Sequence, residues 1–306
     1  MSNRRSVITS GVALASALAF PRVRAQTWPE KPVRIIVSQP AGSGSDAIVR
    51  IVGEQLAHKW NVSTIVENRP GGQNAIGAVA AARAQPDGYT LYFATVAAMV
   101  SNLFLFKKLP YDPRKDFVPI SLVGRVPFVL AVPASSSIER LADFVEQAKT
   151  SPGKLSIADD GPKSFSGMMS RLLAKRAGVQ IAHVPYASIG TAVTETISGQ
   201  LDGVFCDMAS QIGMVKAGRL KAIAVSTGRR VPVLGNVASI GETFTGYDYS
   251  GWAGLVAPAG TSQDIVNRLH RDLRTVLADP SIVTRLREIG TVAEGSETPA
   301  QFAEFV

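Results

Sequence analysis

The sequence predicts an α/β protein, with helices flanking mainly parallel sheets that are divided between two lobes. Short β-branched or apolar runs bounded by turn residues alternate along the chain with segments of helical period. The 306 residues are 46% hydrophobic and 18% charged. That length can bury a large core and exceeds the roughly 100 to 200 residues of a usual domain. Glycine-rich loops stand where strands give way to helices. With 27 glycines and 18 prolines the composition also argues against disorder, collagen-like repeats and a multi-span membrane protein.

The chain opens with a targeting pattern. Arg4 and Arg5 precede an apolar run of 14 residues, Val7 to Phe20, and Val23-Arg24-Ala25 offers a cleavage site before Gln26. The run is short of the roughly 20 residues that cross a bilayer as a helix. A secretory signal peptide over 1–25 is therefore expected, of either the general or the twin-arginine kind, since Arg4-Arg5 fits both. The predicted destination is the periplasm, with no membrane anchor left after cleavage. Of the +8 net charge, four arginines fall in this segment with no acid, so the mature chain carries only +4.

The first mature unit is the clearest. Val33 to Ser38 is a strand, Gln39 to Ser45 a glycine-rich loop, and Asp46 to Trp60 a helix with Ala47, Val49, Ile51, Val52 and Leu56 near helical spacing. Strands follow at Ser63–Glu67, Thr90–Thr95, Ile120–Gly124, Phe128–Pro133, Leu155–Ala158, Ile181–Val184, Val204–Cys206, Lys221–Ser226 and Gly254–Ala257. Two C-terminal helices are expected over Ser262–Ala278 and Pro280–Ile289, and a last one begins at Thr298.

The loop Gly42-x-Gly44-x-x-Ala47 fits a dinucleotide fingerprint, and an exported oxidoreductase holding a nucleotide there is the alternative function. Against it, Asp46 would face the pyrophosphate; the simpler role for Asp46 is the N-cap of its helix. A second loop, Glu67 to Asn74, puts Gly71 and Gly72 ahead of another helix. Both loops offer backbone N–H groups beside a helix N-terminus, and both belong at the carboxyl ends of adjacent strands, where open parallel sheets bind ligands. A ligand cleft, rather than scattered turns, is the expectation.

Other chemistry is thin. His58, His183 and His270 lie on separate elements without metal-ligand spacing, so no metal and no cofactor is expected. Ser151-x-x-Lys154 contains Pro152-Gly153, which forbids the helix that would aim the serine at the lysine, so no catalytic residue is assigned. Arg229-Arg230 and Arg285 to Arg287 are short basic spots without aromatic platforms, which argues against nucleic acid. The lone cysteine, Cys206, reads as a small buried hydrophobe.

Seven ordered segments carry a family resemblance. They are Trp28 to Arg34, Glu67 to Gly71, Gln85-Pro86-Asp87-Gly88-Tyr89-Thr90-Leu91, Lys108 to Pro113, His183-Val184-Pro185-Tyr186, Gly199-Gln200-Leu201-Asp202 and Ala257 to Thr261. In these the chain resembles the Bug or TctC-like extracytoplasmic solute receptors of tripartite tricarboxylate transporters. The resemblance implies a two-lobed periplasmic binding protein of type II-like fold, monomeric, that closes on a small organic acid and hands it to membrane permease subunits or a sensor. Lobe one is expected over 26–124 plus 252–306 and lobe two over 125–251. Carried over by position, the ligand-binding residues implied are Gly42, Ser43, Gly44, Ser45 and Asp46 of the first loop, Gly72, Gln73 and Asn74 of the second, Thr95, Ser164, Ser166, and Asp207, which in some members meets a ligand ammonium.

Departures from that pattern bear on the ligand. Asp159-Asp160 stands where the family has small neutral residues; the pair either repels an acid ligand or forms a solvated turn. Val96-Ala97-Ala98-Met99 replaces polar positions, so a less polar pocket is expected, suited to a monocarboxylate or a zwitterion. The chain ends at Val306, within the helix begun at Thr298, where the family continues further.

Overall fold

The structure is a computed structural model that describes residues 28–306. The signal peptide expected over 1–25 lies outside the described residues. The chain runs β1 (Val33–Val37), α1 (Gly44–Trp60), β2 (Thr64–Asn68), α2 (Ala75–Ala82), β3 (Thr90–Thr95) and α3 (Asn102–Leu105). A long strand, β4 (Phe117–Pro133), is followed by α4 (Leu141–Thr150), β5 (Ser156–Asp159), α5 (Phe165–Ala177), β6 (Ala182–Pro185) and α6 (Ile189–Ile197). Next come β7 (Gly203–Asp207), α7 (Met208–Lys216), β8 (Leu220–Val225), α8 (Ile240–Thr243) and β9 (Ser250–Pro258). The chain finishes with α9 (Gln263–Ala278), α10 (Pro280–Glu288), β10 (Val292–Ala293) and α11 (Pro299–Phe305).

Two sheets result. In the first, β1 pairs in parallel with β2 and β3, because each is reached through a crossover helix. An antiparallel seam of β9, β4 and β10 completes it. In the second, β5 pairs in parallel with β6 and β7, while β7 and β8 flank β4 antiparallel. Helices cover both faces of each sheet, so inner strands such as Val33–Val37 are almost wholly apolar rather than alternating. Each sheet therefore has a core on either side: Val33, Leu56, Leu269 and Leu286 against Tyr92, Met99, Val256 and Phe302 in one, and Phe144, Leu173 and Phe205 against Val193, Cys206 and Leu220 in the other. Cys206 is buried, as a small hydrophobe there should be.

One strand joins the sheets. β4 pairs with β9 as far as Pro127 opposite Ser250, and from Phe128 onward pairs with β7. Proline has no N–H to give to a ladder and is tolerated where pairing changes partner. The carboxyl ends of β1, β2, β3, β5, β6 and β7 thus approach the crossing from both sides. Among the described residues, no helix is long and apolar enough to cross a membrane.

Candidate ligand-binding cleft

A cleft of about 410 Å³ lies between the sheets and is bordered by the crossing of β4 and β9 through Val126, Phe128, Gly251 and Trp252. Into it open the first turns of α1 (Ser43, Ser45), α2 (Asn74), α5 (Ser164 to Ser166) and α6 (Ser188 to Gly190). Each helix N-terminus carries unsatisfied N–H groups and the positive end of a dipole, so their convergence favours an anion. Asp207, the N-cap of α7, also reaches the wall; its carboxylate accepts from the Ser210 N–H at 2.9 Å and the Ser210 hydroxyl at 2.7 Å.

The second loop is the better donor. Gly71, Gly72, Gln73 and Asn74 all have positive φ, at 114°, 58°, 54° and 72°. This left-handed run needs glycine, or a residue such as asparagine that tolerates it, which explains the Gly-Gly-x-Asn composition. None of the four N–H groups donates to an acceptor among the described residues. Four consecutive free donors at a cleft wall form an anion-binding concavity. Nearby on the same wall, Thr95 Oγ1 and Gln39 Oε1 are buried and have no hydrogen-bond partner among the described residues.

The first loop is largely committed to itself. Ser43, not Asp46, is the N-cap of α1: its hydroxyl accepts from the Asp46 N–H at 3.3 Å. Asp46 sits one turn inside, where it accepts from the Gly42 N–H at 2.9 Å, Arg50 Nε at 3.0 Å and Asn68 Nδ2 at 2.9 Å. Burial alone would raise its pKa, but these bonds outweigh it and hold the group below the usual carboxylate range. Asp46 and Gly44 do not line the cleft; Gly42, Ser43 and Ser45 do. The Gly44 N–H is taken by Ser210 Oγ, at 3.0 Å, from the opposite sheet. The Ser45 N–H and hydroxyl remain free of acceptors and donors among the described residues.

Asp46 thus ties loop, helix and second strand together, and Asp46→Ala is expected to cost roughly 1 to 2 kcal/mol at pH 7. Its folded pKa is depressed, so this contribution is present above about pH 4 and is lost as the pH falls through the folded value. Urea unfolding of the variant at a series of pH values below 7 should show a deficit that holds down to about pH 4 and shrinks as the pH falls further. Ligand affinity changed by less than about threefold in the folded variant would confirm that Asp46 supports the loop rather than touching ligand.

On the facing wall, Ser164 caps α5 by accepting from the Gly167 N–H at 2.9 Å. Its hydroxyl meets Ser166 Oγ at 2.9 Å, and Ser166 donates to Asp160 Oδ2 at 2.7 Å. Burial pushes the Asp160 carboxyl up to about 6, with the neighbouring Asp207 and Asp159 carboxylates adding to the rise and the Ser166 bond opposing it. Burial likewise raises Asp207. The two acids at 159 and 160 part ways: Asp159 is fully buried and paired with Arg171 at 3.0 Å and His183 Nδ1 at 3.3 Å, whereas Asp160 lines the cleft. A solvated turn is therefore the wrong account of both.

Ten of the twelve residues expected at the site line one cleft, Gly44 and Asp46 being the exceptions. The sequence-based list lacks the first turn of α6, with Tyr186, and the Gly251-Trp252 crossing. A signal for the former exists, since Ser188-x-Gly190 follows a strand as Ser43-Gly44 does. The dinucleotide alternative fails on geometry. A Cβ on Gly44 would overlap the Asp207 carboxylate, so at the mouth of α1, where a pyrophosphate would lie, another anion already sits.

Comparison with known proteins agrees with this architecture. A UPF0065 protein of Bordetella bronchiseptica is 35% identical over 98% of this chain and 89% of its own. A solved periplasmic transporter superposes with a TM-score of 0.86 at 35% identity, covering 91% of this chain and 93% of the other. The R. palustris protein Rpa4515, solved with adipate, gives a TM-score of 0.87 at 27% identity over 91% and 93% of the two chains. The profile described as tripartite tricarboxylate transporter family receptor matches residues 48–304. With two lobes of α/β fold, a cleft between them and most of its length matched, this chain belongs to the tripartite tricarboxylate transporter receptor family.

Proposed function

We propose that the protein captures a small carboxylic acid in this cleft and presents it, unchanged, to membrane permease subunits of the tripartite type or to a sensor. The observation that carries the reading is the run of four uncommitted N–H donors over Gly71 to Asn74, facing a wall of further helix N-termini. Similarity to a protein solved with adipate supports the same ligand chemistry. The working form is a monomer of the mature chain from Gln26, exported to the periplasm and free of cofactor. Lobe one comprises 26–124 plus 252–306 and lobe two 125–251. Contacts to the ligand come from Ser43, Ser45, Gly72, Gln73, Asn74, Thr95, Ser164, Ser166 and Asp207, and closure over the ligand is what a permease reads.

Micromolar binding corresponds to about 8 kcal/mol, within reach of several charge-assisted bonds to main-chain donors plus closure. The test is mass spectrometry of small molecules released by denaturing natively purified protein, followed by calorimetric titration of each acid found. One carboxylic acid bound in equimolar amount and returned intact is the expected outcome. Chemical turnover of that acid, or release of a nucleotide instead, overturns the proposal.

A further inference from the structure

The charge inventory of the cleft is one-sided. Among the described residues, Asp160 and Asp207 are the only charged ones on its walls, and no lysine, arginine or histidine lines it. Elsewhere buried acids are matched: Asp159, next in sequence, has both Arg171 and His183. Asp160 has no ion-pair partner among the described residues, and neither has Asp207. The chain Ser164–Ser166–Asp160 fixes Oδ2 of Asp160, and among the described residues no hydrogen bond uses its Oδ1. A carboxylate held in place at a partly buried wall without a countercharge is unfavourable unless a proton or a ligand supplies one.

The facing wall is the opposite case. It holds neutral donors, the Gly71 to Asn74 amides and the Ser45 N–H, together with the Thr95 hydroxyl, which is buried and unpartnered among the described residues. The first loop runs close to the acidic pole, since a Cβ on Gly44 would overlap the Asp207 carboxylate. A carboxylate fits the donor wall. At the acidic pole a second ionised carboxylate meets repulsion, while a protonated nitrogen makes charge-assisted bonds. The raised pKa of Asp160 is what an unmatched carboxylate in this position shows.

We infer that Asp160, a carboxylate where the resembled family has small neutral residues, determines specificity: it selects an amino acid, whose protonated nitrogen meets this acid, over a dicarboxylate or a simple acid. The inference rests on the carboxylate-receptor reading above and narrows its ligand class. The test uses the mature full-length chain. Thermal-shift screening of the L-amino acids, their deaminated counterparts and a series of dicarboxylates from malonate to adipate identifies the tightest binders. Calorimetry then compares the best amino acid with the same acid lacking the amine, in wild type and in Asp160→Asn and Asp160→Ser.

The expected result is at least about tenfold tighter binding of the amino acid by wild type, narrowed to about threefold or less in both variants. Affinity for the deaminated acid should stay level or improve in the variants. Both variants should also melt at or above the wild-type temperature without ligand, because they remove an unmatched charge. A dicarboxylate such as adipate bound most tightly, or an amine preference that survives both substitutions, overturns the inference while leaving the carboxylate receptor standing. Failure of every acid to bind overturns both.

Discussion

Gly44→Ala is expected to weaken ligand binding by at least about tenfold, a loss near 1.4 kcal/mol, while leaving the melting temperature of the free protein nearly unchanged. Gly44 opens α1 with ordinary helical geometry, so alanine meets no backbone strain there and is the better helix former. The obstacle lies across the cleft. A Cβ at this position would overlap the Asp207 carboxylate and come within 2.8 Å of the Ala209 Cβ. Asp207 cannot simply turn aside, because it caps α7 through the Ser210 N–H and hydroxyl. The Gly44 N–H bond to Ser210 Oγ spans the sheets at the same point. The added methyl must therefore push α1 away from α7, which penalises the arrangement in which the two helices meet rather than the packing within either lobe. Calorimetric titration with the natural acid, paired with small-angle scattering in saturating ligand, reads both effects. Wild-type affinity in the variant would show that this contact is not part of the bound state.

Phe302→Ala should be the most destabilising of the simple truncations, at roughly 3 to 5 kcal/mol and a melting midpoint about 10 °C lower. Phe302 is fully buried, stands edge-on to Trp252 with ring centres 5.7 Å apart, and fills space that Gly254 leaves for it. Through this ring α11 is fastened to β9, and through Trp252 the same packing backs the cleft wall. Stability measured by urea unfolding, with affinity measured below the transition, separates the two consequences. A loss under about 1 kcal/mol would mean that α11 is not docked on the sheet.

Much of this was readable from local pattern. Apolar runs bounded by turns located the strands to within a few residues, and glycine-rich junctions marked where the cleft opens. What local pattern misses is pairing. Ile120–Gly124 and Phe128–Pro133 read as separate strands, yet β4 runs through both, its ladder changing partner at Pro127. The two-residue β10 is too short for any periodicity. Asp46 was expected to cap α1, but Ser43-x-x-Asp46 is a capping-box spacing in which the serine caps and the acid braces the turn. The contrast between Asp159 and Asp160 was out of reach, since it depends on Arg171 and His183 arriving from a helix and a strand further along the chain.

The left-handed run at Gly71 to Asn74 has a bearing on how such a receptor could acquire new ligands. Under the proposed function its recognition groups are peptide bonds set by local backbone geometry, so little ordering entropy would be lost on capture. Altering that loop by mutation changes backbone geometry before it changes chemistry, which makes it a poor place to vary preference. Diversification would have to come from the other side of the gap, where side chains such as Asp160 can be exchanged one at a time without disturbing the carboxylate grip.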